Sequence, residues 1–294
     1  MKSAQELELE IPLHLDVVTS ESCSRILQVI IENLLYQRNQ IPFAYETFRT
    51  LITKMTDQES QDDNETMSWN NYQLIKQRDL AKKSLQNIKD VFTNSTQLIE
   101  QVHQILQMKF IFGSTIYTAK EIFTIKMPKI DRNHYPQHHR QRLEAALKIL
   151  AMQLTLCEKL QANGSRITGP TNAFVMVGMS GEPGSWVSSE DVERTWHLVE
   201  DYKSPVNCRK YLIQIKNIST ANDSLCCKEM KVFSEQIEQL SLEGSAKNNS
   251  FPTDDNNQEN GDDAPKDNLV WYQLDGCLKG YKEYVIKGKT IWNS

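Results

Sequence analysis

The sequence predicts an α+β fold, and three observations carry that expectation. Apolar residues recur at helical spacing in three long stretches, near 21–39, 72–107 and 137–162. Strand-like runs lie before and between these stretches. An aromatic, β-prone tail returns after a polar acidic tract, as a segment does when it crosses a distance and docks on a sheet. With 294 residues the chain can bury a sizeable core, and its apolar fraction of 39% is that of a globular protein.

Residues 9–18 alternate Ile11, Leu13, Leu15 and Val17 with polar neighbours and read as a strand. Thr19, Ser20 and Ser22 offer N-caps for a helix over 21–39 whose apolar face is Ile26, Val29, Ile30 and Leu34. Pro42 stops it, and a short helix from Tyr45 to about Met55 follows. Residues 57–66 are acidic and read as a solvated loop. The stripe Ala81, Leu85, Ile88, Phe92, Ile99, Val102, Leu106 marks the longest helix, interrupted near Asn94-Ser95-Thr96. Around Gly113 the run Phe110 to Ile125 reads as strand, turn and strand. Leu143, Leu147, Leu150 and Leu154 mark the third long helix, over 137–162. Packing on a sheet explains both helical stripes as well as a coiled coil would. Ala173–Val177, Tyr211–Lys216, Leu269–Tyr272, Tyr284–Ile286 and Ile291-Trp292 read as further strands. The expected organisation is one domain over 9–294, with a disordered acidic insertion at 243–268 and C-terminal strands over 269–294.

Charge narrows the partners. Residues 243–268 hold seven acids against Lys247 and Lys266, a net of −5 that equals the imbalance of the whole chain. The nearly neutral remainder lacks the concentrated basic patch that displaces counterions from phosphates, so no nucleic-acid partner is expected. No run approaches a membrane span and residues 1–10 do not read as a signal peptide, so no membrane partner is expected either. The six cysteines form no CxxC pair, which points to a reduced, intracellular protein with free thiols.

The search for chemistry finds little. His134 and His138 have the spacing of metal ligands on one helix face, but Pro136 between them argues against a continuous helix, and His139 adds no further geometry. Gly178, Gly181 and Gly184 follow a strand as a phosphate loop would, yet no Lys-Ser/Thr pair follows and Pro183 removes an amide donor; a hairpin or lid loop is the expectation. No nucleophile elbow occurs. No enzyme, metal or cofactor is expected.

The stretch Leu34 to Pro42 is the informative one. An apolar helix there finishes in Tyr36, Gln37, Arg38, Asn39 and Gln40. Such a run is either a solvated helix end, with Arg38 complementing the negative C-terminus, or a surface that holds another protein. A side-chain amide offers a partner backbone two donors and an acceptor, and a guanidinium can fork onto a carboxylate.

Three segments resemble the Comet family, the HORMA-like proteins that bind the spindle-checkpoint protein Mad-two. They are Tyr36 to Pro42 with Tyr45-Glu46; Leu106 to Phe123 with Gly113 and Lys120-Glu121; and Val270 to Gln273 with Lys279 to Glu283. The resemblance implies a HORMA-like domain, with three central helices on a mainly antiparallel sheet and a C-terminal β segment wrapped onto it like a belt. It implies a non-catalytic adaptor that pairs with closed Mad-two across a helix face and presents it to an AAA+ remodelling ATPase, silencing the spindle assembly checkpoint. It places the protein in nucleus and cytoplasm, on spindle or kinetochore in mitosis. Tyr36, Gln37 and Arg38 are then the partner-binding residues, and alanines at Gln37 and Arg38 should weaken binding without lowering stability. The sequence departs from the family in its long acidic insertion, in its extra tail from Tyr284 to Ser294, and at two further places. Lys148 stands where the family carries an aromatic, and His197-Leu198-Val199-Glu200 follows Trp196 where a Pro-Lys pair for the ATPase is expected. The alternative is a HORMA-type scaffold that clasps another partner's peptide by β-augmentation.

Overall fold

The computed structural model describes residues 6–59, 69–102, 104–132, 134–161, 167, 169–181, 195–218 and 269–292. The acidic insertion at 243–268, most of the acidic loop, Gly184 and the Cys226-Cys227 pair lie outside them.

Local sequence sets the elements. Strand β1 spans Leu7–Leu13. The Thr19 hydroxyl accepts from the Ser22 amide (3.2 Å) and starts helix α1, Ser20–Gln37. Helix α2 is Tyr45–Glu59, so the first residues of the expected acidic loop are helical. Helix α3, Trp69–Gln101, runs unbroken through Asn94-Ser95-Thr96. Strand β2, Ile105–Gly113, takes Leu106 out of the expected helix. A 3-10 turn at Ile116–Thr118 leads to strand β3, Ala119–Lys126. Pro136 opens helix α4, Pro136–Leu156, at the one helical position where its missing N–H costs nothing. The expected third helix breaks at Cys157, whose backbone is extended, and resumes as α5, Glu158–Gln161.

The remaining strands are β4 Asn172–Met179, β5 Trp196–Val199, β6 Arg209–Asn217, β7 Val270–Leu274 and β8 Leu278–Lys279. They form one mixed sheet in the order β1-β6-β3-β2-β4-β7-β5. β6 runs parallel to both β1 and β3, and the other neighbours are antiparallel. The C-terminal strands share the edge of β4. From the Gln273–Met176 pair to the Leu278–Ala173 pair the tail takes five steps against three on β4, and Gly276 (φ 78°) turns the excess outward. Beyond β8 the expected strands are absent among the described residues; Ile286 and Lys289 bridge across a tight turn instead. Trp292 packs on Phe43 and Phe48, so the tail covers α2.

Alternation along the strands builds two apolar layers. Phe110, Phe112, Phe123 and Tyr272 face α1, α3 and α4, while Ile111, Ile122, Met176 and Trp271 face the other way with Tyr202 and Cys208. On that second face the Trp271 indole lies against Gly178, where an added Cβ would come 2.9 Å from the ring. Gly178 is therefore a buried strand residue, a correction to the expected loop; of that glycine series only Gly181 has a positive φ among the described residues. Lys109 sits 3.7 Å over the same indole and 5.0 Å over the Tyr202 ring, and donates to the Ser204 hydroxyl (3.3 Å).

Gly280 is fixed by packing. Its amide donates to the Thr171 carbonyl (3.2 Å), and a Cβ there would strike the Gln40 side-chain oxygen and stand 3.0 Å from Pro170. Gly280→Ala is expected to destabilise the protein by about 1–3 kcal/mol in denaturant melts. Gly169→Ala, with nothing within 4 Å of the added carbon, should stay within about 0.5 kcal/mol.

Candidate functional site

The polar run that ends α1 divides into an inward and an outward half. Asn39 takes a left-handed conformation (φ 52°), which an asparagine tolerates, and this ends the helix. The turn carries Arg38 and Gln40 inward, leaving Tyr36 49% exposed and Gln37 half-buried.

Arg38 is 2% exposed, which corrects its expected place on a partner-binding surface. Its Nε donates to Glu121 Oε2 at 2.6 Å and its Nη1 to the Leu160 carbonyl at 3.1 Å. The guanidinium carbon lies 5.2 Å from the Phe123 ring centre and 5.7 Å from that of Tyr211. Glu121 is fully buried. Gln40 is equally enclosed. Its Nε2 donates to the carbonyls of Arg38 (2.6 Å) and Gly169 (3.2 Å), its Oε1 accepts from the Thr171 amide (2.7 Å), and its own carbonyl accepts from the Tyr281 amide (2.7 Å). These two residues form an internal joint, and neither can reach a partner.

Gln37 faces α4. Gln37 Nε2 donates to Asn33 Oδ1 (2.5 Å) and to the Leu154 carbonyl (2.9 Å), while Asn33 donates to the Thr155 hydroxyl (3.0 Å). On either side of Leu154, α4 exposes Met152 (55%) and Leu156 (67%), with Ile149 (39%) above them. Positions 149, 152 and 156 are spaced three and four apart and share one side of the helix. Leu143, Leu147, Leu150 and Leu154 occupy the buried side. α4 is thus apolar on two sides. The outer stripe and Tyr36 flank the Gln37–Leu154 contact as a candidate docking face.

Sequence reading named no docking residue on α4, although the signal was present. Ile149, Met152 and Leu156 fall out of phase with the leucines that mark the core side, and a helix with one buried face has no packing use for them. The expected ATPase region behaves differently: Trp196 is 4% exposed, and His197 to Val199 are the strand β5 at the sheet margin. The histidines near 134–139 are held by carboxylates, His134 by Asp131 (3.2 Å) and His139 by Asp16 (2.6 Å). Among the described residues no group of three His, Cys, Asp or Glu side chains could hold a metal ion, and no helix is long and apolar enough to cross a membrane.

Near the α1 exit, Glu32 is pushed up to about 7, first by burial and then by Glu46, against the opposing pull of Arg25 and Arg49. Compared with known protein families and with curated protein sequences, the chain matches none.

Three outcomes follow. Arg38→Met strands Glu121 as a buried, uncompensated charge and should cost about 3–5 kcal/mol, whereas Arg38→Met with Glu121→Leu should regain most of it. Tyr36→Ala should change stability by no more than about 0.5 kcal/mol in the same urea titration. Glu32 binds its proton more tightly folded than unfolded. Its contribution is therefore full below the ordinary glutamate range and is lost as pH rises through about 7. Glu32→Gln should remove that decline, so the variant should gain on the parent by about 1 kcal/mol between pH 5 and pH 8 in thermal melts, with solvent screening allowed for.

Proposed function

We propose that this chain is a non-catalytic, HORMA-like adaptor that pairs with the closed conformer of Mad-two through the α1/α4 face. It would hand that protein to an AAA+ remodelling ATPase and so silence the spindle assembly checkpoint. One observation carries the reading: a long helix of the sheet-facing layer, joined to α1 by the Gln37–Leu154 hydrogen bond, keeps a second apolar stripe, Ile149, Met152 and Leu156, uncovered. Two further features support it. The α+β architecture has a C-terminal segment paired along β4, and α1 packs against both α3 and α4, as three central helices over one sheet require. The proposed contact is narrower than the sequence suggested, because Arg38 belongs to the interior.

Closed and open Mad-two, each immobilised, provide the test. The chain should bind only the closed form. Met152→Glu with Leu156→Glu should weaken binding by at least tenfold, about 1.4 kcal/mol, with an unchanged melting temperature. Equal binding to both conformers, or full affinity in the double variant, would overturn the assignment.

The peptide-clasping alternative draws on a different feature. β1 is a marginal strand of the sheet, and a cavity of about 420 Å³ lies between its Leu9, Ile11 and Pro12 and the junction of α4 with α5, from Leu154 to Leu160. An extended peptide could add to such an edge, but Lys159 Nζ already takes the Glu8 carbonyl (2.8 Å), which blunts it.

A further inference from the structure

A second surface stands apart from the α1/α4 face. Residues 69–89 of α3 carry Lys76, Arg78, Lys82, Lys83 and Lys89 against Asp79 alone. The C-terminal stretch 279–289 carries Lys279, Lys282, Lys287 and Lys289 against Glu283 alone. The two stretches meet at a groove of about 270 Å³. Its walls include Leu80 and Lys83 from α3, Lys279, Lys282 and Tyr284 from the tail, and Pro170. Among the described residues no aspartate or glutamate lines it.

The groove is built into the fold. Ser84 Oγ donates to the Lys279 carbonyl (3.2 Å) and joins the two walls, while the Gly280 and Tyr281 amides are tied to Thr171 and Gln40. Lys83, Lys279 and Lys282 are exposed and form no ion pair among the described residues. Leu80 (47%) and Tyr284 (57%) stay open to solvent between them. Tyr72, Lys76, Leu80 and Lys83 follow one another along one side of α3 at helical spacing, so cations and apolar groups alternate toward the groove.

We propose that this groove binds an acidic, amphipathic peptide segment of a partner protein. Carboxylates would satisfy the three lysines, and an aliphatic or aromatic side chain between them would cover Leu80, Pro170 and Tyr284. Charge complementarity selects this occupant. A nucleic acid would need a longer run of cations to follow its phosphates. A membrane-binding face would present its apolar groups on a convex surface, whereas these line a concavity.

The test uses the full chain and a fluorescein-labelled peptide of alternating glutamate and leucine with one phenylalanine, followed by anisotropy. The peptide should bind, and rising salt should weaken it. The same peptide with glutamine for glutamate, and the variant Lys83→Glu/Lys279→Glu/Lys282→Glu with the original peptide, should each bind at least tenfold more weakly. The triple glutamine variant should lose less and retain the parent's melting curve. Closed Mad-two binding should be unaffected in both variants, which separates this site from the α1/α4 face. Unchanged affinity in the charge-reversed protein, equal binding of the glutamine peptide, or tighter binding of a DNA duplex or phosphatidylserine vesicles would overturn the proposal.

Discussion

A guanidinium removed from water must find nearly all of its partners inside the protein, and Arg38 makes the end of α1 depend on that requirement. Burying an isolated charge is far too costly to survive, so Glu121, the Leu160 carbonyl and the rings of Phe123 and Tyr211 must all be in place together. These neighbours come from β3, α5 and β6. One side chain thus fixes where the first helix ends relative to two adjacent parallel strands and a distant turn. The satisfaction is incomplete: Arg38 Nη2 is buried without an acceptor among the described residues. A hydrophobic pair of similar volume would therefore hold the fold nearly as firmly, and what the ion pair adds is register.

Gln40 extends this joint to the other end of the chain. Its amide bridges the Arg38 carbonyl and the segment at Gly169–Thr171, and its backbone carbonyl receives the Tyr281 amide. A C-terminal tail that pairs with only six residues of β4 would be a weak addition by strand pairing alone. It is held further by Gln40, by Ser84 on α3, by Phe43 and Phe48 against Trp292, and by Lys109 above Trp271. The last contact has a cost. Burial, followed by the charge of Lys210, pushes the Lys109 ammonium down to about 8, so part of what the indole gains from the cation is spent on its desolvation.

The sequence carried the helices and most strands because their periodicity is local. Leu143 to Leu154 and Phe110 to Ile125 could be placed from spacing alone, with the α+β class following from them. Boundaries failed wherever a distant partner decides. Leu106 fits the preceding helical stripe equally well, and pairing of β2 with β3 and β4 makes it a strand residue. The polar run at 36–40 shows the deeper limit. Composition distinguishes a solvated helix end from a docking surface poorly, and a third outcome, an interior polar joint, leaves the same letters. Glu121, which settles the role of Arg38, lies 83 residues away in the chain and carries no mark of the pairing. Tyr36 and Gln37 differ from Arg38 in the direction helical spacing gives each side chain, and the left-handed Asn39 then turns Gln40 inward.

The same joint decides how the two exposed surfaces relate. Helix α1 packs against both α3 and α4. Gln37 donates to the Leu154 carbonyl on the buried side of α4, and three residues later the Gln40 carbonyl accepts the Tyr281 amide beside the lysine-lined groove. Both surfaces are therefore mounted on one short, buried, hydrogen-bonded segment. A polar network of this kind tolerates small displacements poorly, because every shifted atom strands a donor or acceptor. The parts of the run that cannot touch a partner are thus the parts that hold both candidate docking surfaces to a single frame.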